Sequence, residues 1–217
     1  MNEIIKEKKQ DRRCRKTLES IKTALISMLA EKKLAEISVS QLAERADVNR
    51  KTFYNHYSSL QDVLSDVETD LSDSIFAVLQ KEDFLENMGD PKPFFTALSA
   101  SLKNQEQIYR ILIRAGVEAE LFTKVRSWAE DYIYRGVSKT YAIDPNIFHF
   151  YLNVVLAQIS AAYTEWFGSD EPSISLDELS EFICRQVLTS CQFLAELSGQ
   201  GAAALIHNSS SAVRQDI

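Results

Sequence analysis

Apolar residues recur at three- and four-residue spacing along most of the chain, and very little interrupts them. Leu18, Ile21, Leu25, Met28 and Leu29 form one such stripe; Leu60, Val63, Leu64, Val67, Leu71, Ile75 and Leu79 form another. That spacing lines up side chains on one face of a helix with 3.6 residues per turn. Only six glycines and four prolines occur in 217 residues, so natural breaks are few. No alternating segment of four or more residues competes as a strand. The expectation is an all-α protein.

Start and stop signals place the helices. The first is expected from about Arg12 to Lys32, after a polar segment 1–11 without periodicity. Ser38 with Gln41 fits a capping box opening a second helix. Asn49 suits the cap of a third, "RKTFYNHY". Ser58 or Ser59 opens a fourth that runs to about Lys81. "NMGDPKP" (Asn87–Pro93) is the clearest break. Five more helices follow, at about 93–103, 105–115, 118–139, 145–167 and 175–197. Asp144 before Pro145, and Ser175 with Glu178, mark the last two starts.

Charge is uneven. Residues 1–60 hold 13 Lys/Arg against 8 Asp/Glu, a net of +5, while the whole chain carries −7. A basic first quarter on an acidic body points to a polyanion met by that quarter, or to an ordinary solvated mixed-charge surface. Three scattered cysteines (Cys14, Cys184, Cys191) read as reduced thiols in a cytoplasmic protein. No run of 18 or more apolar residues implies a membrane span. Histidines 56, 149 and 207 have no metal-ligand spacing, and Cys184 and Cys191 read as buried small hydrophobes. No glycine-rich phosphate loop and no G-x-S-x-G occurs. An enzyme, a metal site or a bound cofactor is therefore not expected.

The segment "VSQLAERADVNRKTFYNHYSS" (Val39–Ser59) carries the chemistry. Two short helices about a tight turn make a helix-turn-helix, whose second helix can enter a major groove about 12 Å wide. Val48, Phe53 and Tyr57 supply an apolar anchor. Asn49, Arg50, Lys51, Thr52, Asn55 and His56 supply an outward donor face. Arg50 suits guanine and Asn55 suits adenine or phosphate. Thr52, Tyr54 and His56 suit phosphate oxygens, which fix register without reading sequence.

"ISVSQLAERADVNRKTFYNHYSS" resembles the signature of tetracycline-repressor (TetR) family transcription regulators. The resemblance spans about Arg13 to Leu64 and rests on Leu42, Ala43, Ala46, Asp47, Val48 and Asn49, then Tyr54 and Tyr57. Three positions depart from the family pattern: Asp47 stands for the turn glycine, Lys51 for a small residue, and Leu60 for a lysine that contacts phosphate. The resemblance implies a three-helix DNA-binding domain followed by a larger helical domain for ligand binding and dimerisation. The expected division is 1–11 as a flexible basic arm, 12–58 as the helix-turn-helix domain and 59–86 as a linking helix. Residues 87–197 form the regulatory domain, and 198–217 a disordered tail.

The implied function is a cytoplasmic repressor that binds a pseudo-palindromic operator as a homodimer and answers to an unknown small-molecule or protein effector. The alternative is a helical adaptor whose body binds a partner protein. DNA-binding candidates are Arg13, Lys16, Ser38, Ser40, Gln41, Asn49, Arg50, Lys51, Thr52, Tyr54, Asn55 and His56. Pocket candidates are Phe95, Leu98, Tyr109, Ile113, Phe122 and Trp128, although aromatic stripes at helical spacing are more often core. Dimer candidates are Phe148, Tyr151, Val155, Ile159, Tyr163, Phe182, Val187 and Leu194, because both final helices are apolar over more than one stripe.

Overall fold

A computed structural model describes residues 2–82, 90–137 and 144–197, with side chains for 12–82, 90–136 and 144–193. Among these residues every regular element is helical: α1 (Asn2–Leu29), a 3-10 turn (Leu34–Glu36), α2 (Val39–Arg45), α3 (Arg50–Tyr54), α4 (Leu60–Lys81), α5 (Lys92–Asn104), α6 (Glu106–Ala115), α7 (Ala119–Val137), α8 (Pro145–Gly168) and α9 (Leu176–Leu197). The expected tail 198–217 and residues 87–89 of the break at Asn87–Pro93 lie outside the described residues.

Two expectations are corrected. The first helix begins at Asn2, ten residues before Arg12, so a helix replaces the expected arm. "NEIIKEKKQD" contains no glycine or proline and is rich in residues of high helix propensity, so nothing stops the helix from extending. The third helix is five residues long rather than eight, ending at Tyr54 with Asn55 as its C-cap. The backbone still turns beyond it, with His56 and Tyr57 N–H groups donating to the Phe53 carbonyl.

The chain forms two compact units. The first is Met1–Leu71 with Gln107–Leu121; the second is Ser72–Glu106 with Phe122–Ile217. This differs from the division expected along the chain. The boundary cuts α4, and the α6–α7 corner joins the first unit. A physical reason is visible in that unit: the fully buried Glu68 carboxylate of α4 accepts the Leu121 N–H at 3.1 Å, and the Ser65 hydroxyl donates to Glu120.

The core of the first unit draws on α1, α2, α3 and α4. Ile21, Leu25 and Met28 of α1, Leu42 and Ala43 of α2, Phe53 of α3, and Val63, Leu64, Val67 and Leu71 of α4 are all buried. A side chain such as Phe53 contributes about 1.5–3 kcal/mol on full burial. In the second unit α5 and α8 both pack against α9. Their buried residues include Phe94, Phe95, Leu98, Leu102, Phe148, Leu152, Tyr163, Trp166, Phe167, Leu179, Ile183 and Val187. The Ser99, Ser180 and Tyr163 hydroxyls form a buried polar link there, and Ser99 also donates to the Leu176 carbonyl.

This core corrects part of the dimer expectation. Phe148, Tyr163 and Val187 are already buried within the single chain. Phe148 packs with Leu152 against Ile133, Tyr134 and Leu156. The apolar residues left exposed on these helices are instead Ile147, Phe150, Val154, Phe182 and Phe193. Of the other candidates, Tyr151, Val155 and Ile159 are half-buried, and the Leu194 side chain lies outside the described residues. Among the described residues α8 is also long and apolar enough, by length and composition, to cross a membrane. Its buried Phe148, Leu152, Tyr163, Trp166 and Phe167 are core residues of the second unit.

Candidate nucleic-acid interface

The interface is built from the turn outward. Ser38 caps α2: its hydroxyl accepts the Gln41 N–H at 3.3 Å, and Gln41 Oε1 accepts the Ser38 N–H at 3.0 Å. Both side chains are therefore engaged in fixing the helix start. At the other end Asp47 sits in the left-handed region, with φ +54°. The Val48 N–H donates to the Ala43 carbonyl at 2.9 Å and the Asp47 N–H to the Glu44 carbonyl at 3.1 Å. This pair of bonds is the Schellman arrangement, which needs a residue with positive φ at the position Asp47 occupies. The Ser20 hydroxyl of α1 donates to the Ala46 carbonyl at 2.7 Å and fastens the turn to the first helix.

Asn49 opens α3 by accepting both the Thr52 N–H at 2.8 Å and the Thr52 hydroxyl at 3.1 Å. Asn49 and Thr52 are thus committed to each other. Phe53 is fully buried and its ring meets Tyr54 edge-on at 5.4 Å and Tyr57 at 6.0 Å. The helix is thereby pinned on one side, and the other side stays in solvent. Arg50, Lys51, Tyr54 and Asn55 are exposed. The Arg50 guanidinium lies 6.0 Å over the Tyr54 ring, at the outer limit of a cation–π contact.

The remaining candidates separate by position. Ser40 is exposed on α2, and Arg13 and Lys16 on α1, where Arg12 and Arg15 are exposed as well. His56 is half-buried, with Nδ1 3.9 Å from the Cys14 thiol, so it is less free to meet phosphate than its place in the sequence suggests. Lys16 borders a shallow groove of about 430 Å³ with Glu19, Ser20, Thr23, Ala24, Ser27 and Arg45. Arg45 is held there by two 3.0 Å bonds to Glu31 and one to Ser27.

Sequence reasoning missed a polar network beneath this face. The Tyr57 hydroxyl donates to Asp66 Oδ2 at 2.6 Å, and the Lys22 ammonium pairs with Asp70, with Asp66 at 3.7 Å and with Glu19 at 3.4 Å. Burial pulls the Lys22 ammonium down, but Asp70, Asp66 and Glu19 outweigh it and hold it above its usual value. Burial, reinforced by the Asp66 carboxylate, pushes the Tyr57 phenol far up, so it remains a donor throughout the physiological range. Apart from Glu19, three residues before Lys22 on the same helix, these partners lie 9 to 48 residues apart, beyond the reach of helical periodicity.

Comparison with known proteins then fixes the fold. The structure of a TetR transcriptional regulator from Streptococcus agalactiae 2603V superimposes with a TM-score of 0.60 at 21% identity, over 82% of this chain and 97% of that one. A TetR-family regulator from Streptomyces coelicolor gives 0.55 at 14% identity, over 90% and 88%. The chain has the TetR-family fold. The dihydroxyacetone kinase operon activator DhaS shares this TetR fold, with a TM-score of 0.57 at 18% identity over 82% and 97%. By sequence, an uncharacterised HTH-type transcriptional regulator of Bacillus subtilis (strain 168), YxbF, is 32% identical over 111 residues. The match spans 51% of this chain and about a quarter, 26%, of that protein. No family model matches the chain. All of these but DhaS, an operon activator, are named as transcriptional regulators.

Within the TetR fold the three departures noted in the sequence take physical form. Asp47 carries the positive φ usually given to glycine. Lys51 is exposed on α3. Leu60 is half-buried at the start of α4, a start capped by Ser59 and Asp62: the Asp62 N–H donates to Ser59 Oγ, and Asp62 accepts the Ser58 and Ser59 N–H groups. These bonds, led by the one from the Ser58 backbone, hold the Asp62 carboxyl below its usual value.

Proposed function

We propose that the chain is a DNA-binding transcription regulator that reads a two-fold-related operator as a homodimer. The observation that supports this most is the two-sided third helix. Phe53 is fully buried and Asn49–Thr52 closes the helix start, while Arg50, Lys51, Tyr54 and Asn55 remain in solvent. A short helix held so firmly from behind, with a guanidinium, an ammonium, a phenol and a carboxamide in front, has the donor set for base edges and phosphates. Arg13 and Lys16 on α1 add cations that suit the flanking backbone.

The dimer is proposed through α8 and α9 of the second unit. Phe150 is 75% and Phe182 54% exposed, with Ile147, Val154 and Phe193 continuing the apolar surface. Between the two helices runs a groove of about 310 Å³ lined by Val155, Ile159, Phe182 and Val187 among others. A second copy of the same face would cover it, in an isologous contact of the kind a palindrome demands. Repression needs only occupancy of an operator and is the sense we infer, although the neighbour DhaS is named as an activator. The effector, small molecule or protein, would act on the second unit. Of the residues expected in a pocket, Phe95 and Leu98 are buried packing residues of the second unit and Phe122 and Trp128 are half-buried there, whereas Tyr109, buried, and Ile113, half-buried, belong to the first unit.

A mobility-shift assay on DNA upstream of the chain's own coding region, at two salt concentrations, tests the reading. A sequence-preferring shift that weakens with salt is expected, with a logarithmic slope of about −0.9 per phosphate neutralised. Failure to shift any duplex, with capture of a partner protein by the second unit, would favour the adaptor.

A further inference from the structure

We propose that Asp66 is a positioning residue for the recognition segment and acts through Tyr57. The inference rests on the DNA-binding reading above and adds to it the device that sets the angle of α3.

Two kinds of contact hold α3 in the first unit. Phe53 and the Tyr57 ring are buried, and apolar burial is non-directional: it fixes depth more firmly than rotation. The Tyr57 hydroxyl adds a directional contact, a 2.6 Å charge-assisted bond to Asp66 Oδ2. Tyr57 follows the exposed Tyr54 by three residues, so a rotation at one is felt at the other. Asp66 is itself held, because Lys22 of α1 lies 3.7 Å away and pairs also with Asp70 and Glu19. One polar chain therefore joins α1, the end of the recognition segment and α4. Only 12% of the Lys22 side chain is exposed, against 38% for Asp66, 57% for Asp70 and 63% for Glu19, so the strut is fixed at its Lys22 end and meets solvent at its carboxylates.

The consequence for recognition has a definite sign. Contacts to base edges need aligned bidentate geometry, whereas attraction to phosphate tolerates misalignment. Releasing the strut should reduce binding to a preferred sequence and leave binding to random sequence intact. Electrostatics alone predicts otherwise for Asp66, since removing a negative charge beside the recognition segment favours every duplex.

The test uses the full-length chain and two duplexes of equal length: one enriched by the wild type from a random-sequence library, and a scrambled one. Fluorescence anisotropy is read at fixed salt, well below the melting temperature. Tyr57→Phe keeps the ring and its packing, and is expected to bind the enriched duplex about three- to tenfold more weakly with the scrambled duplex unchanged. Asp66→Asn is expected to weaken the enriched duplex and to tighten the scrambled one. The double variant should be no weaker than the weaker single. A merely structural loss would reduce both duplexes alike through the folded fraction. The proposal is overturned if Asp66→Asn binds the enriched duplex as tightly as the wild type or more so, or if the two substitutions simply add. If the wild type enriches no duplex, the DNA-binding reading falls and takes this proposal with it; if it does and the variants match it, only this proposal falls.

Discussion

Replacing Asp47 by glycine should stabilise the first unit. Asp47 holds φ +54° because the α2–α3 turn closes with both Schellman bonds. The left-handed conformation costs a residue with a Cβ about 1–2 kcal/mol, and Asp sits toward the low end because it tolerates this region better than most. Glycine removes that strain, but its looser unfolded chain gives back about 0.4–1 kcal/mol. The net gain is therefore about 0.5 kcal/mol, a rise of about 1–2 °C in melting temperature for a chain of this size. The same motif at the end of α6 supplies the reciprocal experiment. There the Val117 N–H donates to Leu112 and the Gly116 N–H to Ile113, with Gly116 at φ +67°. A Cβ at Gly116 would meet nothing within 4 Å, so Gly116→Ala isolates the backbone effect. It should lower stability by about 0.5–1 kcal/mol. Asp47→Ala, without the short polar side chain that eases the conformation, should also destabilise. Thermal and urea unfolding followed by circular dichroism reads all three. A lower melting temperature for Asp47→Gly, or no change for Gly116→Ala, would refute the reasoning.

On DNA, Arg50→Ala should weaken binding by about 1–3 kcal/mol and relax preference at one base position, whereas Tyr54→Ala should weaken all sequences; competition assays on a set of single-base operator variants separate the two. Phe150→Glu and Phe182→Glu place charges on the proposed dimer face without disturbing the protomer core, and sedimentation should show monomers whose helix content is unchanged. At low pH the capping boxes of α4 and α9 should fail together. The Ser58 and Ser175 N–H groups hold Asp62 and Glu178 below their usual values. Depressed carboxylates contribute stability present above the unfolded-state pKa of about 4 and lost as pH falls through the folded value. Asp62→Asn and Glu178→Gln, which remove the titrating carboxyls, should flatten the corresponding part of a melting-temperature profile between pH 7 and pH 3.

Much of this fold was legible because its signals are local. The capping pairs Ser38–Gln41 and Ser175–Glu178 and the Asp144–Pro145 start all lie within four residues, and each marks a helix end in the structure. Asp47 was legible for the same reason: the turn is set by its neighbours. Burial on a helix that is apolar all round was not legible. The α8 sequence offers Phe148 and Phe150 almost equally, yet one is buried and the other 75% exposed, because the packing of α8 against distant segments decides which stripe faces inward. The start of α1 was misplaced because charged residues were read as solvated coil, although lysine, glutamate and glutamine favour helix. The inward turn of His56 and the Tyr57–Asp66–Lys22 chain depend on contacts between separate helices, which no window along the sequence contains.

The most direct measurement of the central claim is a dimethyl sulfate footprint on a duplex selected by the wild-type chain. Dimethyl sulfate reports guanine N7, an atom of the major groove. A dimer presenting two α3 helices should protect guanines in two patches about 10–10.5 base pairs apart, or a multiple of that spacing, and Arg50→Ala should expose one guanine in each patch. Protection at a single patch, protection confined to the minor groove, or a footprint that Arg50→Ala leaves unchanged would contradict the account.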